Sequence, residues 1–195
     1  DVIVVEDLAY FAMDSRHDLS HPYEAPFVRT VARYTDNYLL LLSSSKIFSY
    51  AGQRIALVCI SDRLFDRRFP AFAERYHDEG VFGPTFIASI QYMITSGCTA
   101  TTQMGYAEML RLSCEGKINF VEDTREYAVR ARKMKRIFCD NGFTITYPRD
   151  VHEPIGDGFF FSLSFPGMSG SELVKELIHY GVSSINLDTT GSRQQ

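Results

Sequence analysis

The chain has 195 residues, of which 45 % are hydrophobic and 23 % are charged, values typical of a globular protein. This composition excludes a disordered chain, a collagen-like chain and a small disulfide-stapled scaffold. The 20 basic and 24 acidic residues give a net charge of −4, which favours neither nucleic acid nor an anionic membrane surface as a partner.

Three short apolar runs lie in the first 60 residues, at positions 2–5, 38–42 and 55–60. Each run is apolar throughout rather than alternating, which is typical of strands buried on both faces of a parallel sheet. Polar residues follow each run, at positions 6–7, 43–46 and 61–62. Because ligands bind outside the carboxyl ends of the strands in such sheets, we expect the three polar segments to converge on one site.

Helical patterns dominate the middle of the chain. Residues 63–76 have apolar side chains near helical spacing, and we expect Pro70 to bend or divide this helix. Residues 86–112 favour helix through their alanine, methionine and leucine content, and the two glycines Gly97 and Gly105 weaken that prediction.

The clearest predicted helix covers residues 122–139 and ends at Asn141-Gly142, a signal for a left-handed cap. Its basic residues are expected to form a solvated face rather than a contact with phosphate or membrane. Its predicted apolar stripe consists of Tyr127, Ala131, Met134 and Phe138.

Beyond Gly142 the pattern changes to strand, strand, helix, strand. The strands are predicted at 143–147, 158–165 and 182–187, and the helix begins at a capping box formed by Ser169 and Glu172. This order predicts a small α+β unit. We therefore expect residues 1–120 to form one domain and residues 121–195 a second, entered through the long helix.

Reactive side chains are densest directly after the second apolar run. Burying an unpaired ammonium costs several kcal/mol, so Lys46 is expected either to reach solvent or to act as a nucleophile. The hydroxyls of Ser43 and Ser45 and the guanidinium of Arg54 suit a phosphate. Gly52 would let the backbone come close to it. An ordinary polar loop after a strand accounts for this pattern about equally well.

Two motifs, in this order and at this separation, closely resemble a known family. Asp7 precedes Lys46 by 39 residues. The motifs are Asp7-Leu8-Ala9-Tyr10 after the first run, and Ser43-x-Ser45-Lys46 followed by Gly52-x-Arg54. They resemble the signature of the pyridoxal-phosphate-dependent class I/II aminotransferases of fold type I, and the resemblance covers the whole chain. It implies an α/β fold, in which part of the large domain, a mostly parallel sheet with helices, precedes a small α+β carboxyl-terminal domain.

The resemblance assigns roles to the matched residues. Lys46 is similar to the lysine that forms a Schiff base with pyridoxal 5′-phosphate and then moves the substrate proton. Asp7 is similar to the aspartate that pairs with the pyridine nitrogen. A carboxylate there keeps the ring protonated, so that the ring can draw electrons from the substrate. Tyr10 resembles the tyrosine that hydrogen-bonds the 3′-oxygen of the ring.

Three further residues, Ser43, Ser45 and Arg54, match the phosphate anchors of the family. Ser44 lies between two of these anchors and should point elsewhere. In the family, further cofactor contacts lie upstream of the Asp-x-x-Tyr strand, and the arginine for the substrate carboxylate follows a turn like residues 189–192. We therefore expect a piece of a longer protein, with little or no activity of its own.

The function implied for the parent protein is transfer of an amino group between an amino acid and a 2-oxo acid. A pyridoxal-phosphate lyase, decarboxylase or synthase of the same fold would use Lys46, Asp7 and Tyr10 equally. A non-catalytic, aminotransferase-like regulatory module would keep only the fold. Members of the family are usually homodimers with active sites at the subunit interface, so we expect a homodimer of the parent.

Other features point to no further chemistry. Four widely spaced cysteines without a CxxC motif are typical of reduced thiols in a cytoplasmic protein. The longest apolar run, at 55–60, is far shorter than the roughly 20 residues of a membrane span. Because their stretch is loop-like, we expect a surface loop and no metal site at four residues with metal-ligand side chains, Asp14, His17, Asp18 and His21.

Overall fold

The computed structural model describes residues 2–156 and 158–192, which form two compact units. The first unit comprises the residues up to Ala12 together with Asp18–Glu122. The second comprises Met13–His17 and the residues from Asp123 onward. The division therefore falls inside the long helix, two residues after the boundary expected from the sequence. The assignment of Met13–His17 to the second unit was not expected.

A three-stranded sheet organises the first unit, in the order β1 (Val4–Leu8), β2 (Tyr38–Ser43), β3 (Ala56–Ile60). β1 and β2 are parallel, with Asp7 opposite Leu41. β2 and β3 are antiparallel, with Ser43 opposite Ala56. All three predicted strands are present, and the fold is mixed α/β.

The antiparallel direction of β3 corrects the expectation of a parallel arrangement. The segment that connects β2 to β3 is compact, and its two ends are joined, because the backbone N–H of Ser44 donates to the Ile55 carbonyl at 3.4 Å. The chain therefore re-enters the sheet at the end where it left. The expectation of strands buried on both faces is also wrong, since Val5 is 58 % and Leu57 39 % exposed.

Short helices connect and cover this sheet. They are α1 (Ser44–Ile47), α2 (Asp62–Phe65), α3 (Pro70–Tyr76), α4 (Phe82–Thr85), a π-helical segment (Phe86–Gln91), α5 (Tyr92–Thr95) and α6 (Ala100–Cys114). Pro70 does divide the helical region, and it stands at the start of α3, where a missing N–H is not needed. The hydrophobic core of this unit is formed by three buried residues that pack together, Leu39, Leu64 and Phe82.

The two glycines of the predicted 86–112 helix behave differently. The helical region is interrupted at Ser96 and Gly97, which both have left-handed backbone conformations, with φ of 55° and 89°. Gly105 instead lies within α6, where a Cβ atom would stand 2.9 Å from the Tyr50 hydroxyl. At this position the glycine makes room for a neighbouring side chain and does not interrupt the helix.

The second unit is built from helices and two small antiparallel sheets. Helix α7 (Phe120–Asp140) leads into it, and α8 (Gly170–His179) begins at the predicted Ser169–Glu172 capping box. The strands are β4 (Thr144–Ile145), β5 (Arg149–Asp150), β6 (Glu153–Pro154) and β7 (Leu163–Ser164), with β4 paired to β7 and β5 to β6. The hairpin β5–β6 was not predicted.

The third strand predicted in this unit is absent from the described residues 182–187. The side chain of Asn186 accepts a hydrogen bond from the Asp188 N–H at 3.1 Å and begins a 3₁₀ turn, Leu187–Thr190. Its amide also donates to the Ser171 hydroxyl at 2.8 Å. Side-chain bonds to the local backbone here replace the pairing that a strand would need.

The buried face of α7 matches the predicted stripe only in part. Ala128 and Ala131 are almost fully buried, at 2 % and 4 % exposure, whereas Tyr127 and Met134 are 40 % and 44 % exposed. The helix ends as predicted, before Gly142 with φ of 89°. Among the helices of the described residues, none combines the length and the apolar character that crossing a lipid bilayer requires.

Candidate functional site

The carboxyl end of β1 carries Asp7 and Tyr10. Asp7 is exposed, and its carboxylate accepts a hydrogen bond from the Ala9 N–H at 3.0 Å. A turn follows, in which the Phe11 N–H donates to the Leu8 carbonyl at 3.1 Å. Tyr10 lies within this turn and is 45 % exposed. Both side chains are therefore accessible to a molecule in solution.

The carboxyl end of β2 passes directly into α1. The hydroxyl oxygen of Ser43 accepts a hydrogen bond from the Ser45 N–H at 3.2 Å, so Ser43 caps the helix. Because the oxygen serves as acceptor, the hydroxyl proton of Ser43 can still be donated to an anion. Ser45 and Lys46 are both half-buried, and no ion pair to Lys46 is found within the described part of the chain.

The inner face of α1 is fixed by Ser44 and Ile47, which are both buried. The Ser44 hydroxyl donates to the Ile55 carbonyl at 2.8 Å, and the side chain is fully buried. Ser44 therefore points away from the side of α1 that carries Ser45 and Lys46, as expected from its place between the two anchors. This bond ties the helix to the start of β3.

Arg54 lies just before β3, after a 3₁₀ turn at Ala51–Gln53. Its backbone is left-handed, with φ of 53°, which is uncommon for a residue other than glycine. Its guanidinium is exposed and donates from Nη1 to the Ala51 carbonyl at 2.8 Å. A Cβ atom at Gly52 in this turn would meet no other atom within 4 Å, so the packing of the described residues does not require a glycine there.

The strand register brings these segments to one end of the sheet. Asp7 pairs with Leu41, two residues before Ser43. Ser43 in turn pairs with Ala56, two residues after Arg54. Since paired strands lie about 4.8 Å apart, the backbones that carry the six predicted residues are close neighbours. The antiparallel turn of β3 is what places Arg54 there.

The third polar segment does not join this site, which corrects the expectation that all three would converge. Ser61 and Asp62 follow β3 and so lie at the opposite end of the sheet. There the Ser61 N–H donates to the Tyr38 carbonyl at 3.4 Å, and the Ser61 hydroxyl donates to the Asp36 carbonyl. The Ser61 oxygen also accepts from the Leu64 N–H at 3.1 Å and thereby caps α2.

The residue types at the β1–β2 end fit pyridoxal phosphate chemically. Two hydroxyls and a guanidinium suit a phosphate group, and an amine suits an aldehyde. A carboxylate suits a protonated ring nitrogen. The half-buried side of α1 presents Ser45 and Lys46 together, while Asp7 and Arg54 remain exposed on either side of β2.

An apolar cavity of about 360 Å³ lies within the first unit near this end of the sheet. Phe11, Leu42 and Ile47 line it, and each is a chain neighbour of a predicted site residue. Tyr106 of α6 also lines it, and its hydroxyl is buried with no partner among the described residues. Burial raises the pKa of Tyr106, and the nearby Cys59 raises it further. No sequence pattern distinguished this tyrosine.

The weaker candidates from the sequence have structural roles. Asp14 binds Arg16, with Nη2 and Oδ2 2.6 Å apart, and this hydrogen bond lowers the pKa of Asp14. No group of three or more potential metal ligands occurs among the described residues. The four cysteines, all within the described residues, form no disulfide. Tyr50 packs over Gly105 of α6.

No protein-family model matches the chain. No curated protein matches it at a significant level.

Proposed function

We propose that this chain is part of a pyridoxal-phosphate-dependent aminotransferase of fold type I. The observation that supports the proposal is that its two motifs lie next to each other: Asp7-x-x-Tyr10 and Ser43-x-Ser45-Lys46 begin at the carboxyl ends of two adjacent parallel strands. In this proposal the parent protein transfers an amino group between an amino acid and a 2-oxo acid. It acts as a cytoplasmic homodimer, and the chain described here has little or no activity by itself.

Each residue has a distinct task in the proposed site. Bound pyridoxal phosphate supplies an electron-withdrawing ring to the substrate. Lys46 would hold the cofactor through its amine and, once the substrate amine has replaced it there, would move the proton to and from the substrate carbon. Asp7 keeps a proton on the ring nitrogen, because a neighbouring carboxylate stabilises the positive charge. Tyr10 donates a hydrogen bond to the 3′-oxygen of the ring.

The phosphate is held by the remaining three residues. The hydroxyls of Ser43 and Ser45, at the start of α1, would donate to its oxygens. Arg54 adds a permanent charge and up to two parallel hydrogen bonds. Ser44 does not touch the cofactor. It holds α1 against the start of β3 through the Ile55 carbonyl, and it thereby positions Lys46 relative to Arg54.

Reductive trapping tests cofactor binding directly. The 195-residue chain is incubated with pyridoxal phosphate and excess free lysine, reduced with borohydride and mapped by mass spectrometry. We expect the added mass mainly on Lys46, with loss of labelling in Lys46→Ala. Lys117→Ala is the matched control, because Lys117 is an exposed lysine of the same unit that pairs with Glu115, and it should leave the labelling unchanged. Equal labelling of all lysines would contradict the proposal.

A separate measurement on the parent protein distinguishes the reaction. If the proposal is correct, an amino acid and a 2-oxo acid exchange their amino group. A product that has lost carbon dioxide or a side-chain group, without amino transfer, would instead identify a decarboxylase or lyase of the same fold. Labelling of Lys46 with no turnover of any amino acid would indicate a regulatory module.

A further inference from the structure

A short link, residues 48–53, joins the two cationic residues of the proposed site, Lys46 and Arg54. The link begins directly after α1 and ends with the 3₁₀ turn that precedes Arg54. Within it, the Tyr50 N–H donates to the Ser44 carbonyl of α1 at 3.3 Å. The Tyr50 carbonyl accepts a hydrogen bond at 3.2 Å from the N–H of the last residue in the turn. A shift of Tyr50 therefore displaces the turn that carries Arg54 relative to α1.

Helix α6 supports this link along its length. The contacts run in opposite directions along the two segments and comprise three pairs: Phe48 with Tyr106, Tyr50 with Gly105, and Gln53 with Thr102. In the first pair the two rings lie edge to face, with centroids 5.8 Å apart. In the third, the threonine hydroxyl donates to the glutamine Oε1 at 3.3 Å. The position of the link therefore depends on α6 as well as on its own hydrogen bonds.

The central contact depends on a glycine inside a helix. Gly105 lies on the inner face of α6, between the buried residues Thr102 and Tyr106. A glycine in a helix interior costs about 0.5–1 kcal/mol relative to alanine. Here a Cβ atom would stand only 2.9 Å from the Tyr50 hydroxyl, so the glycine allows this side chain to approach the helix. Because the tyrosine ring is rigid and has only two side-chain torsions, a Cβ atom there would displace Tyr50.

We infer that α6 sets the position of Arg54 relative to Lys46, and that Gly105 is the positioning residue, acting through Tyr50. This inference rests on the proposed function, in which Arg54 binds the cofactor phosphate and Lys46 its aldehyde. Those two groups are fixed on one small ring, so the spacing of the two side chains must match it. Correct spacing makes the site selective for the phosphorylated aldehyde. Without it, Lys46 still reacts with an aldehyde, but Arg54 no longer adds to binding.

A comparison of pyridoxal phosphate with pyridoxal, which lacks the phosphate, tests this inference. The 195-residue chain is incubated with a range of concentrations of each aldehyde, reduced with borohydride and mapped at Lys46. Free lysine in the same mixture corrects for the intrinsic reactivity of each aldehyde. The phosphate preference is the corrected ratio of the two half-labelling concentrations. We expect a preference of about tenfold, equivalent to about 1.4 kcal/mol, because Arg54 forms charge-assisted hydrogen bonds with phosphate.

Gly105→Ala should reduce the phosphate preference to about twofold or less and leave the labelling of Lys46 by pyridoxal unchanged. Met104→Ala is the matched control, because Met104 is the neighbouring residue of α6 and is 73 % exposed. Its preference should equal that of the unaltered chain. Combining Gly105→Ala with Tyr50→Phe should restore the preference. Without the hydroxyl, the nearest ring carbon lies 3.8 Å from the added Cβ, an ordinary van der Waals contact.

Thr102→Val is a second variant, which removes the hydrogen bond to Gln53 without adding volume. It should reduce the preference about threefold, and it decides the question if Gly105→Ala fails to fold. An unchanged preference in the deciding variant would overturn the inference. So would a failure of Tyr50→Phe to restore it, or an equal loss of labelling by both aldehydes, which indicates general disruption of the fold. No preference in the unaltered chain would instead contradict the phosphate site, and with it the proposed function.

Discussion

Replacing Ser44 by alanine removes the side-chain bond that holds α1 to the start of β3. The Ser44 hydroxyl is fully buried and donates to the Ile55 carbonyl at 2.8 Å. That carbonyl also accepts from the Ser44 backbone N–H at 3.4 Å, so it keeps one partner in the variant. We therefore expect the loss of one ordinary hydrogen bond, about 1 kcal/mol of unfolding free energy, and not the larger penalty of an orphaned carbonyl.

Urea unfolding followed by far-ultraviolet circular dichroism measures this loss. With a slope of about 2 kcal/mol per molar urea, the midpoint of the first unit should fall by about 0.5 M. Ser45→Ala is the matched control, because Ser45 is the next residue in α1 and is only half-buried. Its midpoint should change little. If Ser44→Ala and Ser45→Ala gave the same midpoint, the bond would not stabilise the fold. A loss of about 3 kcal/mol would show that the backbone N–H does not satisfy the carbonyl.

Three further changes test the packing and the electrostatics. Leu64→Ala should cost about 2–5 kcal/mol in urea unfolding, because Leu64 is fully buried in the core of the first unit, and a loss below about 1 kcal/mol would refute tight packing there. Gly83→Ala should lower the free energy of unfolding by about 1–3 kcal/mol, because its Cβ would overlap the ring of Phe65. Gly52→Ala is the control and should not lower it, because no atom lies within 4 Å of the added Cβ. Asp14, whose pKa lies below its ordinary value of 3.8 through its bond to Arg16, stabilises the fold above that pH and loses this contribution as pH falls through the lowered value. The urea midpoint of Asp14→Asn should therefore lack that acid-dependent part, and an unchanged pH profile would contradict the assigned cause.

Local sequence patterns predicted the elements well where the signal is carried by neighbouring residues. Pro70 marks a helix start because its ring cannot donate a hydrogen bond, and the Ser169–Glu172 box marks another because both partners lie within one turn. The same holds for the end of α7 before Gly142. Each of these signals acts over about four residues or fewer, so the sequence displays it directly.

The candidate site was predicted only in part. The sequence placed Asp7 and Lys46 after strands, and the parallel pairing of β1 with β2 puts those strand ends side by side. It wrongly added Ser61 and Asp62, because an apolar run does not encode the direction of the strand it forms. Strand direction depends on how the connecting segment folds, here through the bonds to the Ile55 carbonyl.

For this protein, the sequence by itself determined the residue types of the candidate site, the existence of its three central strands, the end of α7 and the start of α8. Only the tertiary structure decided that β3 runs antiparallel and that Arg54 therefore reaches the end of the sheet where Ser43 lies. The physical reason is that strand pairing and burial join residues distant in the chain. Their free energy depends on hydrogen bonds and contacts that exist only once the chain has folded.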